Sequence, residues 1–247
     1  TSQKTIHKYN MNNKIKLVFF GTPEIAARTL GVFIQDERYE VCGVVSQPDK
    51  PSGRGRKISP TPVKQLANQH DITIFQPEKI RGNEVFLESL ISLKADIFLV
   101  IAYGKILPKS LLEIPQHGCI NIHGSLLPKY RGSAPIQYAL LNGDKKTGAT
   151  IMYMDKSMDT GDIIDTLDIE IDPLETSSTL FAKFADRCGK FTGDVIHHQL
   201  YDIPKRAQQD HDSATYTGMI TKSDGELDIF DTAQYSYQKW QAYTPWP

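Results

Sequence analysis

The chain has 247 residues, 28 Lys and Arg against 29 Asp and Glu, and 40% apolar residues. That length and balance suit one large α/β domain, alone or with a small appendage, and exclude wholesale disorder. The longest apolar run, residues 97–103, is far below the roughly 20 residues of a membrane-crossing helix, so none is expected.

Residues 1–13, TSQKTIHKYNMNN, are polar, lack the apolar stretch of a secretion signal and read as an N-terminal extension. Residues 14–20 are apolar and β-rich, and Gly21-Thr22-Pro23-Glu24 follows: Thr22 suits a helix N-cap, Pro23 the first helical position and Glu24 the positive helix end. A strand is expected over 41–46, a helix over 62–69, a short strand over 72–75 and a helix over 84–93. Residues 96–102 read as a central strand of a parallel sheet covered on both faces. Further strands are expected at 120–123 and 151–154, and helices over 136–141 and 180–200. The alternation predicts a Rossmann-like, doubly wound, mostly parallel α/β domain over 14–202. Residues 203–247 read as a linker and the start of a C-terminal region, with a turn at 223–225, a strand at 226–230 and a helix over 233–243 capped by Thr232.

Cys42, Cys119 and Cys188 are odd in number, far apart and without C-x-x-C spacing, so neither a disulfide framework nor a zinc site is expected. A reducing cytoplasm is the expected setting, and a monomer the expected state. His197-His198, without Cys or carboxylate partners at ligand spacing, read as surface or packing residues, and His117, which precedes a strand, as having no role. Tyr235, Tyr237 and Trp240 read as a small helix packing its aromatics on the main domain, although they could stack on RNA bases.

The stretch 47–62, QPDKPSGRGRKISPTP, is too long for an ordinary βα loop. Extended to Lys64, it holds Lys50, Arg54, Arg56, Lys57 and Lys64 against Asp49 alone, in a chain of net charge −1. Such a loop can read a phosphate backbone, and composition alone leaves a solvated surface loop equally open.

The most informative stretch runs from Gly118 to Gln137. Asn121 and His123 alternate at a strand end, so both point to one face, where an open α/β sheet binds ligands. An amide and an imidazole side by side can donate hydrogen bonds to an oxyanion. Ser125-Leu126-Leu127-Pro128 is an apolar turn able to wall a flat ligand, and Arg131-Gly132-Ser133-Ala134-Pro135 makes a second turn before a helix. The acidic turn 158–162 can bring a carboxylate to His123, and on bare chemistry Asp159 and Asp162 are both candidates.

These blocks, together with Phe20-Gly21-Thr22-Pro23, Ala102-Tyr103-Gly104 and Ile106-Leu107-Pro108, resemble the methionyl-tRNA formyltransferase family of folate-dependent formyltransferases. The resemblance covers residues 14 to 247. Asn-x-His with Ser-Leu-Leu-Pro marks the superfamily, and the Gly-Arg-Gly-Arg-Lys loop points to its tRNA-using branch. The resemblance implies formyl transfer from 10-formyltetrahydrofolate to the α-amino group of initiator methionyl-tRNA, without metal. It implies Asn121, His123 and Asp159 as the catalytic three, selecting Asp159 over Asp162. Folate would lie against Gly104, Lys105, Ile106 and Leu107, the turn of Ser125, Leu126, Leu127 and Pro128, and the loop from Asp155 to Asp159. Arg54 matches a loop arginine near the tRNA acceptor end, with Lys50, Arg56 and Lys57 as supporting phosphate contacts. The family pattern continues past Pro245-Trp246-Pro247 into a β-barrel that helps hold tRNA, and the expectation is that this chain lacks it.

A sugar-nucleotide N-formyltransferase with the same donor and triad is the nearest alternative; glycinamide ribonucleotide formyltransferase and formyltetrahydrofolate hydrolase are more distant. A nicotinamide-binding domain is disfavoured because Gly21-Thr22-Pro23 replaces the Gly-x-Gly-x-x-Gly turn, and a non-catalytic tRNA-binding remnant because the triad is intact.

Overall fold

A computed structural model describes residues 14–52, 57–202 and 204–247, the side chains of Ser52 and Lys57 excepted. In chain order the elements begin with β1 (Ile15–Gly21), α1 (Glu24–Gln35), β2 (Tyr39–Val45), the antiparallel pair β3 (Lys50–Ser52) and β4 (Lys57–Ser59), and α2 (Pro62–Gln69). There follow β5 (Ile74–Phe75), α3 (Glu84–Ser92), β6 (Ile97–Ile101), α4 (Lys109–Leu112), β7 (Cys119–His123), β8 (Arg131–Gly132), α5 (Pro135–Leu141) and β9 (Lys146–Tyr153). The chain closes with β10 (Ile163–Glu170), α6 (Ser177–Tyr201), β11 (Tyr216–Thr217), a 3-10 turn at Lys222–Gly225 and α7 (Ala233–Tyr243).

The main sheet has the order β10-β9-β7-β6-β1-β2-β5. The five strands from β7 to β5 pair in parallel, while β9 runs antiparallel to both β7 and β10. The chain winds outward from β1 through β2 to β5, then returns to the other side of β1 as β6. Strand order reverses there, which opens a crevice at the carboxyl ends of the central strands.

The apolar run of β1 is explained by its two covered faces. Ile15, Leu17 and Phe19 pack into one core with Leu30 and Phe33 of α1 and Leu180 and Phe184 of α6. Val18 and Phe20 join Leu90 of α3, Phe98 and Tyr103 in a second. Each such fully buried side chain contributes about 1.5–3 kcal/mol. Among the described residues, no helix is long and apolar enough to cross a membrane.

Several local expectations change. The N-cap of α1 is Pro23, not Thr22; the Thr22 hydroxyl instead donates to the Tyr103 carbonyl at 3.2 Å and accepts from the Gln47 N–H at 3.3 Å, tying β1 to the loops after β6 and β2. β10 was not anticipated. Residues 226–230 form no strand: Ile229 and Phe230 are 89% exposed and pair with no neighbouring strand. Tyr237 and Trp240 stack on each other but stay partly exposed, and α7 docks instead through buried Gln241 and Ala242. His198, read as lacking a carboxylate at ligand spacing, pairs with Asp202 at 2.6 Å.

The stretch read as a linker is irregular yet lies against the domain. Ala207 exchanges two backbone hydrogen bonds with Ile163, Gln209 is buried, and β11 pairs in parallel with β8. This strap covers the loops that carry the site.

Candidate active site

β7 ends in the crevice. Its Ile120 and Ile122 point into the α1–α6 core, so Asn121 and His123 face the other way. Among the described residues, no hydrogen bond holds the half-buried Asn121 amide. The His123 ring is 6% exposed, and its Nε2 lies 2.8 Å from the Tyr130 carbonyl oxygen. A carbonyl only accepts, so Nε2 carries a proton, and the ring turns its Nδ1 the other way. That nitrogen is 3.7 Å from Asp159 Oδ2. The separation exceeds an ordinary hydrogen bond but is a close charge contact once Nδ1 is protonated, in a place little screened by water.

Asp159 sits in the loop between β9 and β10. Asp155 braces the loop by accepting from Ser157 N at 2.9 Å and from the Thr160 hydroxyl at 2.7 Å. Gly132 N donates to Asp159 Oδ2 at 2.8 Å. Asp162, the other candidate, points elsewhere and pairs with Arg206 at 3.9 Å. Ala102, Tyr130 and Asp159 all hold left-handed φ, 47°, 62° and 54°. Such conformations cost on the order of 1–3 kcal/mol each and persist only where neighbours enforce them. For Tyr130 the enforcement is visible: its hydroxyl donates to Asp144 at 2.7 Å and accepts from Asn142 at 3.0 Å. Burial pushes that phenol up to about 12, so it stays protonated and keeps donating.

The expected folate-facing residues surround the crevice but do different work. Gly104 (φ 80°) and Ile106 are exposed, whereas Leu107 is buried in the second core. Lys105 turns away, its ammonium donating to the carbonyls of Pro77 and Glu78 at 2.8 Å. In the turn after β7, Ser125 and Leu127 are buried and pinned to Thr150 of β9, while Leu126 and Pro128 are half-buried. Asp155 is exposed and engaged within its own loop.

A neighbouring cleft of about 440 Å³ is lined by Thr22, Gln47, Lys50, Thr61, Ala102 and Gly104, among others. Lys50 stands at its exposed rim. Arg54 and Arg56 lie outside the described residues, as does the side chain of Lys57. Lys64 is no free cation: it binds Asp49 at 2.6 Å, and Gln76 donates to the same carboxylate at 2.6 Å. These two donors hold the Asp49 carboxyl below the usual carboxylate range and anchor the base of the basic loop.

Two residues escaped the sequence reading. Arg131 is 1% exposed and its guanidinium donates to the side chain of Gln209, itself 6% exposed, which in turn donates to the Asp159 carbonyl. Arg131 and Gln209 are 78 residues apart, in a turn and a polar run, so no local pattern could join them.

Residues 14–196 match the family model described as Formyl transferase. The methionyl-tRNA formyltransferase of Clostridioides difficile (strain 630) is 42% identical over 94% of this chain and 75% of its own length. That of Desulforamulus reducens is 45% identical over 94% of this chain and 73% of its own. This chain thus spans about three quarters of these relatives. Among solved structures, WlaRD, a sugar 3N-formyl transferase crystallised in the presence of dTDP and 5-N-formyl-THF, superposes with a TM-score of 0.67 at 20% identity, over 94% of this chain and 80% of the other. That likeness supports the α/β formyltransferase fold alone. The sequence matches go further: the chain belongs to the methionyl-tRNA formyltransferase family of formyl-transferring enzymes.

Proposed function

We propose that this chain moves the formyl group of 10-formyltetrahydrofolate onto the α-amino group of initiator methionyl-tRNA, with Asn121, His123 and Asp159 carrying the chemistry. The observation that carries the reading is the pair of buried His123 and half-buried Asp159, 3.7 Å apart, beside an Asn121 amide that no hydrogen bond holds among the described residues. Kinship with methionyl-tRNA formyltransferases supports the choice of acceptor.

The neutral amine attacks the formyl carbon, and negative charge builds on the formyl oxygen. Asn121 donates to that oxygen, and a protonated His123 adds positive charge beside it. A donor of this kind supplies about 2.7–4 kcal/mol of transition-state stabilisation. Asp159, 3.7 Å from Nδ1, offers that positive charge an opposite one. The amine gives up one proton as the new C–N bond forms and the donor nitrogen takes one as the old bond breaks, and the His123–Asp159 pair can relay it through water.

The exposed main chain at Gly104, the half-buried Leu126–Pro128 turn and the loop from Asp155 to Asp159 would hold the flat donor. Ile106 and Met158, 85% and 60% exposed, leave apolar surface on two of these loops, which suits a heterocycle. Lys50, with Arg54, Arg56 and Lys57 of the same loop, would meet tRNA phosphates.

The test supplies 10-formyltetrahydrofolate with either methionyl-tRNA or an amino-sugar nucleotide. Formyl-methionyl-tRNA is the expected product. Transfer to the sugar alone would overturn the acceptor and the role of the basic loop.

A further inference from the structure

Asp159 is gripped twice, and both grips lead back to Arg131. Its carboxylate accepts from Gly132 N, the peptide that follows Arg131. Its main-chain carbonyl accepts from Gln209 Nε2 at 2.9 Å, and the same nitrogen donates to the Gly161 carbonyl at 2.8 Å. Gln209 Oε1 accepts from Arg131 Nε at 3.1 Å and Nη2 at 2.7 Å. A guanidinium only donates and a carbonyl only accepts, so the Gln209 amide can be oriented one way alone. The remaining guanidinium bonds go to His211 Nδ1 at 2.8 Å and the Tyr216 hydroxyl at 3.3 Å. Among the described residues Arg131 has no carboxylate partner. The strap carrying Gln209 is itself fastened to Arg131, whose N–H donates to the Thr215 carbonyl at 2.8 Å.

We infer that Gln209 is a positioning residue for the formyl-transfer reaction: its amide, aimed by Arg131, holds the 159–161 main chain so that the Asp159 carboxylate stays opposite His123. The inference rests on the assignment of Asp159 proposed above. A left-handed aspartate on an exposed loop would otherwise relax, and an ångström of drift at a reacting group costs on the order of 100-fold in rate.

The two ends of the amide separate this role from simple burial of Arg131. Gln209→Glu keeps the oxygen that Arg131 needs, and the residue's volume, but turns a second carboxylate oxygen onto two carbonyls that require donors. The experiment measures kcat, and KM for 10-formyltetrahydrofolate, for Gln209→Ala, Gln209→Glu, Asp159→Asn and the double variant Gln209→Ala/Asp159→Asn. Both Gln209 variants are expected to lose on the order of 10–100-fold in kcat with KM little changed. The double variant is expected to be no slower than Asp159→Asn, because Gln209 acts through Asp159. Wild-type kcat in Gln209→Glu, or a double-variant loss equal to the product of the single losses, would overturn the inference. Should Gln209→Ala not fold, Gln209→Glu carries the test. An Asp159→Asn protein at wild-type rate would instead remove the assignment on which the inference stands.

Discussion

Replacing Gly132 by alanine perturbs the fold and the chemistry at one atom. Gly132 has φ 118°, and a Cβ there would lie 3.0 Å from the Thr217 hydroxyl oxygen, 3.2 Å from the Thr217 carbonyl carbon and closer still to that carbonyl's oxygen. The obstacle is the backbone of β11, which cannot swing aside as a side chain could. Restoring ordinary separation requires β8 and β11 to part by about 1 Å. The same movement stretches the 2.8 Å bond from Gly132 N to Asp159 Oδ2 beyond hydrogen-bonding range. The lost charge-assisted bond is worth about 1.5–3 kcal/mol, and the strained φ adds about 1–3 kcal/mol. Gly132→Ala is therefore expected to lower Tm by about 5–24 °C and single-turnover formyl transfer on the order of 100-fold. Gly82→Ala is the control: φ is 72° with nothing within 4 Å, so about 1 kcal/mol of stability is lost and turnover is kept. A Gly132→Ala protein with wild-type Tm and rate would refute the reasoning.

Asn121→Ala is expected to lower kcat by about 10²–10³-fold while folate affinity, followed by fluorescence titration, stays within about threefold. Thr232→Ala removes the acceptor of the Tyr235 N–H at the start of α7 and is expected to cost about 1 kcal/mol by thermal unfolding, with formylation unchanged. Burial holds the His117 imidazole below its ordinary 6.5 against the opposing pull of Asp96. A depressed folded-state value favours the neutral ring, so this stability is full above about pH 6.5 and lost as pH falls below it. Denaturant titrations at pH 7.5 and 5.5 should therefore show a smaller acid loss in His117→Gln than in the wild type.

The residues that were legible are those whose neighbours in sequence are their neighbours in structure. The helix expected over 62–69 forms at Pro62–Gln69, where Thr61 supplies a cap that had not been read; the helix at Ala233–Tyr243 follows from Thr232, which caps it as expected. The central strands announced themselves as apolar runs because both faces are covered. β10 did not, because an edge strand exposes one face and there carries Thr166, Asp168 and Glu170. Thr22 had the chemistry of a cap, but tertiary hydrogen bonds to the β6 loop engaged it first. Asn121 and His123 were legible as a strand end. Bare chemistry could not separate Asp159 from Asp162, because the distinction lies in how the loop returns over the sheet. Gln209 was hidden in a polar run whose meaning comes from Arg131 alone.

The most direct test of the account compares Asp159→Asn with Asp162→Asn in single-turnover formyl transfer to methionyl-tRNA. The two aspartates are three residues apart, yet one faces His123 at 3.7 Å and the other pairs with Arg206 at 3.9 Å. The account predicts a loss of roughly 10²–10⁴-fold for Asp159→Asn and a rate within about threefold of wild type for Asp162→Asn. A wild-type rate in Asp159→Asn, or a comparable loss in both, would contradict it.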